Sequence, residues 1–147
     1  METVVKHFSE LTLDELYEIL KLRAAVFVVE QNCAYQDLDE VDKDAYHVYI
    51  KDEGKLLAYL RVVDKNKRLD EVSVGRVISL KRRIGLGSKL LQIGLQTAKE
   101  KYGATVVKVG AQTYAKPFYE QAGFCQVSEE YEEDGIPHIY MLYNEKA

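Results

Sequence analysis

Little in this 147-residue sequence is available for disulfide or metal chemistry. The two cysteines, Cys33 and Cys125, are too few for a disulfide framework and have no metal-ligand spacing. They read as buried or half-buried thiols in a reducing compartment, and no metal site is expected. No apolar run approaches the ~20 residues that a membrane-spanning helix needs. The start, Met1 to His7, lacks the charged-then-apolar layout of a signal peptide, so a cytoplasmic protein with no membrane partner is the expectation. An excess of positive charge is also missing. Twenty basic side chains face 24 acidic ones, a formal net charge of -4, which argues against a general nucleic-acid binder. A local positive pocket built from Lys81, Arg82, Arg83 and Lys89 stays open. There is no repeat, low-complexity stretch or linker. The length predicts one domain over residues 1–147 with a sizeable core.

What is present centres on Arg82-Arg83-Ile84-Gly85-Leu86-Gly87. Val74 to Leu80 before it is rich in β-branched and apolar residues and predicts a buried strand. Gly85 and Gly87 let the backbone turn sharply and come close to a ligand. Leu86, Leu90, Leu91, Ile93, Leu95 and Ala98 then recur at mostly helical spacing. Unpaired N–H groups at such a helix start favour a phosphate, and the two arginines add planar donors. A Walker loop requires Gly-Lys-Ser/Thr, which Gly85 to Lys89 does not supply. The dinucleotide fingerprint requires a third glycine where position 90 is leucine.

In chain order, Thr3 to Phe8 predicts a strand. Thr12 with Glu15 is a capping box that opens a helix. The helix runs to about Glu30, with a break midway, on an apolar face of Leu13, Leu16, Tyr17, Leu20, Ala24, Phe27 and Val28. Residues 31–45 carry Asp37, Asp39, Glu40, Asp42 and Asp44, with Glu30 just before. They read as a solvated acidic loop or as an acidic rim that attracts a cationic amine. A calcium loop is a third reading, but it lacks the required glycine. Strands are expected over Tyr46 to Lys51 and Lys55 to Val63, joined by the turn Glu53-Gly54. A third spans Glu71 to Leu80. A helix from Leu86 to Tyr102 ends on Gly103, and Thr105 to Ala111 predicts a central strand. Pro117 suits the first turn of a short helix that Gly123 closes. A hairpin of Cys125 to Tyr131 and Ile136 to Tyr143 ends the chain, with Pro137 at a strand start or edge. The fold class is α/β, a mixed sheet with helices on both faces.

Arg82-x-x-Gly85-x-Gly87 after a strand, with Phe118-Tyr119-Glu120-x-x-Gly123-Phe124 some thirty residues later, resembles the GNAT superfamily of N-acetyltransferases. The runs 22–33, 75–77, 110–112 and 133–138 resemble its ElaA subgroup, with Ala34 where that subgroup usually has proline. The resemblance implies a splayed pair of parallel strands. Acetyl-CoA lies along one of them as a co-substrate, a form of β-augmentation. Its implied contacts are Val77, Ile78, Ser79 and Gln112, with Arg82, Arg83, Ile84, Gly85, Leu86, Gly87 and Ser88 around the pyrophosphate. A primary amine, small or on a protein, attacks the acyl carbonyl directly, and a strand N–H stabilises the oxyanion. Tyr119 occupies the position of the general acid that protonates the departing thiolate. For the base, Glu71, His47, Glu30 and His138 remain open. Arg61 and Arg76 pair with acids or hold an anionic group of the acceptor. A non-catalytic acyl-CoA-binding sensor is the alternative function. An exposed edge strand in the terminal hairpin offers a surface for a second copy.

Overall fold

The computed structural model describes residues 1–80 and 85–146. One open sheet runs through them in the order β1-β2-β3-β4-β5-β8-β6, with β7 also on β8. Its strands are β1 (Glu2–His7), β2 (Tyr46–Asp52), β3 (Lys55–Val63), β4 (Ser73–Ser79), β5 (Val106–Gln112), β6 (Phe124–Gln126), β7 (Tyr131–Glu133) and β8 (Ile136–Asn144). The helices are α1 (Leu13–Arg23), α2 (Leu86–Tyr102) and α3 (Lys116–Gln121). Strands β1 to β4 are antiparallel neighbours, β4 and β5 are the parallel pair, and β5 and β8 are antiparallel. Both two-residue turns follow from sequence. Glu53-Gly54 and Asp134-Gly135 each take positive φ at both positions, as tight hairpins require. The terminal strand expected over 125–131 is split into β6 and β7. Between them the Ser128 hydroxyl accepts from the Tyr140 N–H at 2.8 Å.

The sheet is covered on both faces because its central strands alternate between two cores. Val48, Ile50, Ala58 and Leu60 pack with Leu90, Leu91, Leu95 and Ala98 of α2, and with Tyr119 of α3. Tyr49, Leu56, Tyr59 and Ile78 point the other way and meet Ile19, Leu22, Val26 and Phe27. No described helix is long and apolar enough to cross a membrane.

Helix α1 begins as expected. The Thr12 hydroxyl accepts from the Glu15 N–H, and the Glu15 carboxylate accepts from the Thr12 N–H at 2.8 Å. Its buried face differs from the expectation. Leu13 and Tyr17 are 86% and 68% exposed, while Ile19 and Arg23 are sealed. The helix buries a charge at its centre line, which an apolar-only pattern does not register. The break midway is a change of winding. Ala24–Glu30 is a π-helix, and the Cys33 N–H donates to the Val28 carbonyl at 3.1 Å.

The Glu15 carboxylate also receives Lys6 Nζ of β1 at 2.9 Å and the Tyr49 hydroxyl of β2. Burial pushes this carboxyl up, but the Thr12 N–H, Tyr49, Lys6 and the Thr12 hydroxyl outweigh it and hold it at about 2. A depressed folded value contributes stability above the ordinary carboxyl range, and that contribution is lost as pH falls. Glu15→Gln keeps the cap and removes the charge. Urea unfolding of this variant should show lower stability at pH 7 and a shallower decline between pH 4.5 and 2 than the wild type. Parallel pH profiles would contradict the assignment.

Candidate active site

The parallel pair β4·β5 is where the sheet opens. Among the described residues it is held in register only at Ser73 opposite Lys108, with the Lys108 N–H donating to the Val72 carbonyl at 2.9 Å. Beyond that bridge the strands part, and a cleft of about 620 Å³ lies between them. Val77, Ile78 and Ser79 line one wall, and Val109, Gly110 and Gln112 the other. The edge of β4 that faces β5 therefore presents backbone donors and acceptors to whatever fills the cleft.

Strand β4 is shaped by a bulge. Tyr59 is opposite Ile78 but Arg61 is opposite Gly75, so Arg76 and Val77 stand against Leu60 alone. Arg76 has φ +51°, a left-handed conformation that costs on the order of 1–3 kcal/mol for a residue with a Cβ. The bulge aims its guanidinium at Asp37, with Nε to Oδ1 at 2.8 Å and a second N–H to the Asp37 carbonyl at 3.0 Å.

That ion pair is one edge of a larger assembly. Arg23 is fully buried and donates to Asp37 at 2.8 Å and to Asp42 at 2.7 Å. Arg61, 1% exposed, donates to Asp39 at 2.7 and 3.0 Å and to Asp42 at 2.8 Å. Tyr35 donates to Asp37 at 2.8 Å. Burial pushes Asp42 up, yet Arg23 and Arg61 overcome it and hold the carboxyl below its usual range; Asp39 behaves alike through Arg61, Arg76 and Arg23. This corrects the reading of residues 31–45. Asp37 and Asp42 form neither a solvated loop nor an attracting rim, because they are buried and neutralised by arginine.

The candidate residues fall into distinct places. Tyr119 is 5% exposed, lines the cleft and is held edge-on between Phe118 and Phe124. Burial pushes its phenol up, so it stays protonated through and above the neutral range. Gly85 caps α2 at φ +72°, and a Cβ there meets nothing within 4 Å. Gly87 is small for another reason. A Cβ at that position would lie 3.1 Å from the Phe118 ring, so this glycine lets α2 pack on α3. Leu86 is in the core, leaving its backbone N–H at the helix start beside those of Gly87 and the exposed Ser88. Arg82, Arg83 and Ile84 lie outside the described residues.

Glu30, Arg61, Arg76 and His138 line the cleft. Both arginines are committed to aspartates, as the pairing option had it. His47 does not reach the cleft. The Asp42 carbonyl can only accept, so Nε2 donates to it at 2.9 Å, and Nδ1 accepts from the Tyr59 hydroxyl at 2.7 Å. Burial lowers this imidazole and keeps it neutral. Glu71 precedes β4, which begins at Ser73, and is also off the cleft; its carboxylate turns toward Lys108 Nζ at 3.5 Å. Sequence reasoning missed Arg23, Arg68 and Glu133. Arg23 left a signal, a charge at the buried spacing Ile19, Arg23, Val26. Arg68 and Glu133 left none, since only the fold joins them. Among the described residues no group of three or more His, Cys, Asp or Glu is arranged to hold a metal.

An opened parallel strand pair beside a glycine-capped helix and a buried cleft tyrosine is the arrangement of an acyl-CoA-dependent transferase. A family model for the acetyltransferase (GNAT) domain matches residues 9–144, and the chain belongs to that family. Within it the chain is ElaA-like. Protein ElaA of Escherichia coli K12 is 42% identical over 139 residues, covering 92% of this chain and 91% of the relative. A UPF0039 protein of Schizosaccharomyces pombe is 41% identical over 145 residues, covering 96% and 95%. A solved acyl-CoA N-acyltransferase from Pseudomonas aeruginosa superposes with a TM-score of 0.90 at 42% identity, covering 97% of this chain and 99% of that one.

Arg76→Ala and Arg76→Gly both remove the pair with Asp37, but only glycine adopts φ +51° freely. Both should be less stable than the wild type in urea, with the alanine variant about 1 kcal/mol below the glycine variant. Equal stabilities would show that the bulge relaxes without strain.

Proposed function

We propose that this protein transfers an acetyl group from acetyl-CoA to a primary amine by direct attack, with Tyr119 as the general acid. The observation that carries the reading is the unpaired inner edge of β4 with Tyr119 in the same cleft. An extended pantetheine arm matches such an edge in the way a strand does. The first-turn N–H groups of α2 suit the pyrophosphate. Acetyl rather than a longer acyl group is the finer part of the reading, and the family supports only acyl-CoA in general.

In this mechanism the β4 backbone orients the thioester and its N–H groups stabilise the developing oxyanion. Tyr119 gives its proton to the departing thiolate. A phenol of pKa ~10 or above donates to a thiolate of ~8.5 only when the two are in contact, and the packing of Phe118 and Phe124 fixes the ring for that purpose.

Acetyl-CoA added above its dissociation constant should raise the melting temperature by mass action, while NADH and ATP do much less. Equal shifts with all three sink the co-substrate assignment. Screening alkyl amines, free lysine and short peptides with acetyl-CoA, read by free thiol release, separates an enzyme from a sensor and names the acceptor class.

Tyr119→Phe keeps the packed ring and removes the hydroxyl. Turnover should fall about 10²-fold, the lower end of the range for a general acid, with acetyl-CoA affinity within a few-fold. Because burial raises the phenol, the wild type should show no loss of rate from Tyr119 ionisation up to about pH 10. An unchanged turnover number, measured where chemistry limits, returns Tyr119 to a packing role.

A further inference from the structure

The proposed reaction leaves one demand unmet. An alkyl amine is an ammonium ion at neutral pH and must lose a proton before it attacks. Of the four base candidates, His47 has both ring nitrogens committed and Glu71 is off the cleft. Glu30 lies exposed at the rim.

We propose that His138 is the catalytic base, and that Glu133 holds the amine against it, forming an ammonium subsite on the β7–β8 hairpin. The inference rests on the acetyltransferase reading above. Three observations support it. First, the His138 tautomer is fixed. Nδ1 lies 2.7 Å from the Ile136 carbonyl, which can only accept, so Nδ1 carries the proton and Nε2 keeps its lone pair. Second, Nε2 is 3.5 Å from Glu133 Oε2, and both side chains line the cleft together with Arg68. Two acceptors this close, a lone pair and a carboxylate oxygen, repel each other until a cation donates to both. A primary ammonium has three N–H groups and meets that need. Third, the ring cannot swing away. It is 8% exposed and stacks on Tyr131, which stacks on Tyr140 at 4.6 Å.

The groups facing His138 are few. From β7 come Glu133 and Tyr131, and from the β7–β8 turn comes Asp134 on the same cleft wall. Gln112, which does not ionise, is its register partner on β5. Arg68, from the β3–β4 connection, binds the other Glu133 oxygen at 3.2 Å and fixes that carboxylate.

The protons balance. The ammonium gives one to Nε2, and Glu133 stabilises the resulting imidazolium. The free amine forms the C–N bond, the C–S bond breaks, and Tyr119 protonates the thiolate. The new amide nitrogen then sheds its second proton, which restores the phenol. The imidazolium releases the first proton to solvent.

Two measurements test this. Nitrogen-15 NMR of the ring, with no substrate present, should show His138 as the Nδ1–H tautomer when neutral; the Nε2–H tautomer overturns the proposal. With an amine that the wild type acetylates, His138→Gln should lower kcat/KM about 10²-fold or more at pH 7 and abolish the acidic limb of its pH profile. Glu133→Gln should raise KM for the amine and keep that limb, moved to lower pH because the imidazolium loses its anion. A normal limb in His138→Gln, or a limb lost in Glu133→Gln alone, overturns the base assignment while acetyl transfer stands. A wild type that acetylates no amine overturns the acetyltransferase reading instead.

Discussion

Three arginines and three aspartates locked together beneath one end of the cleft are the constraint on which the rest of this structure depends. Arg23 comes from α1, Arg61 from the middle of β3, Arg76 from the β4 bulge, and Asp37, Asp39 and Asp42 from the segment after the π-helix. Charges so deeply buried are tolerable only when paired and hydrogen-bonded, and removing one member strands its partner at a cost of about 3–5 kcal/mol. The network is therefore better understood as fixing one arrangement than as adding stability. It holds the bulge in its left-handed conformation, and the bulge directs the wall of the cleft. One atom is left over. Arg61 Nε is buried with no partner among the described residues.

A second constraint is the open pair of parallel strands. A sheet normally satisfies its inner backbone groups by pairing, and here β4 and β5 give that up past Ser73 and Lys108. The compensation is lateral. On its other side β4 is bonded to β3 on both flanks of the bulge, and β5 is bonded to β8 along seven residue pairs, so neither strand collapses into the gap. The gap persists because each wall belongs to a firmly paired neighbour.

Sequence alone revealed the parts of this design that rest on local rules. Gly85 with its positive φ, the capping box at Thr12, both glycine turns and the Phe118-Tyr119 motif act through neighbours in the chain, and all are legible there. The parts that rest on distant partners were hidden. The face of α1 was assigned from apolar spacing, but the helix turns Arg23 inward because three aspartates wait there. The acids of 31–45 looked solvated because their arginines lie up to 39 residues away. Gly87 looked like a ligand contact, though its neighbour is Phe118 of another helix. His47 and Glu71 have the right chemistry for a base, yet side-chain direction on a strand is set by register, and register is not written in composition.

The wide winding over Ala24–Glu30 bears on how this chain tolerates change in length. A π-turn accommodates one residue more than an α-turn over the same rise. Deleting any single residue between Ala24 and Glu30 would restore ordinary winding and rotate Arg23 by about 100° relative to everything downstream. The guanidinium would leave Asp37 and Asp42 for solvent or apolar surroundings. A loop elsewhere of similar size can gain or lose a residue at small cost, but this stretch cannot. Among descendants of such a gene, its length should stay fixed where its side chains drift.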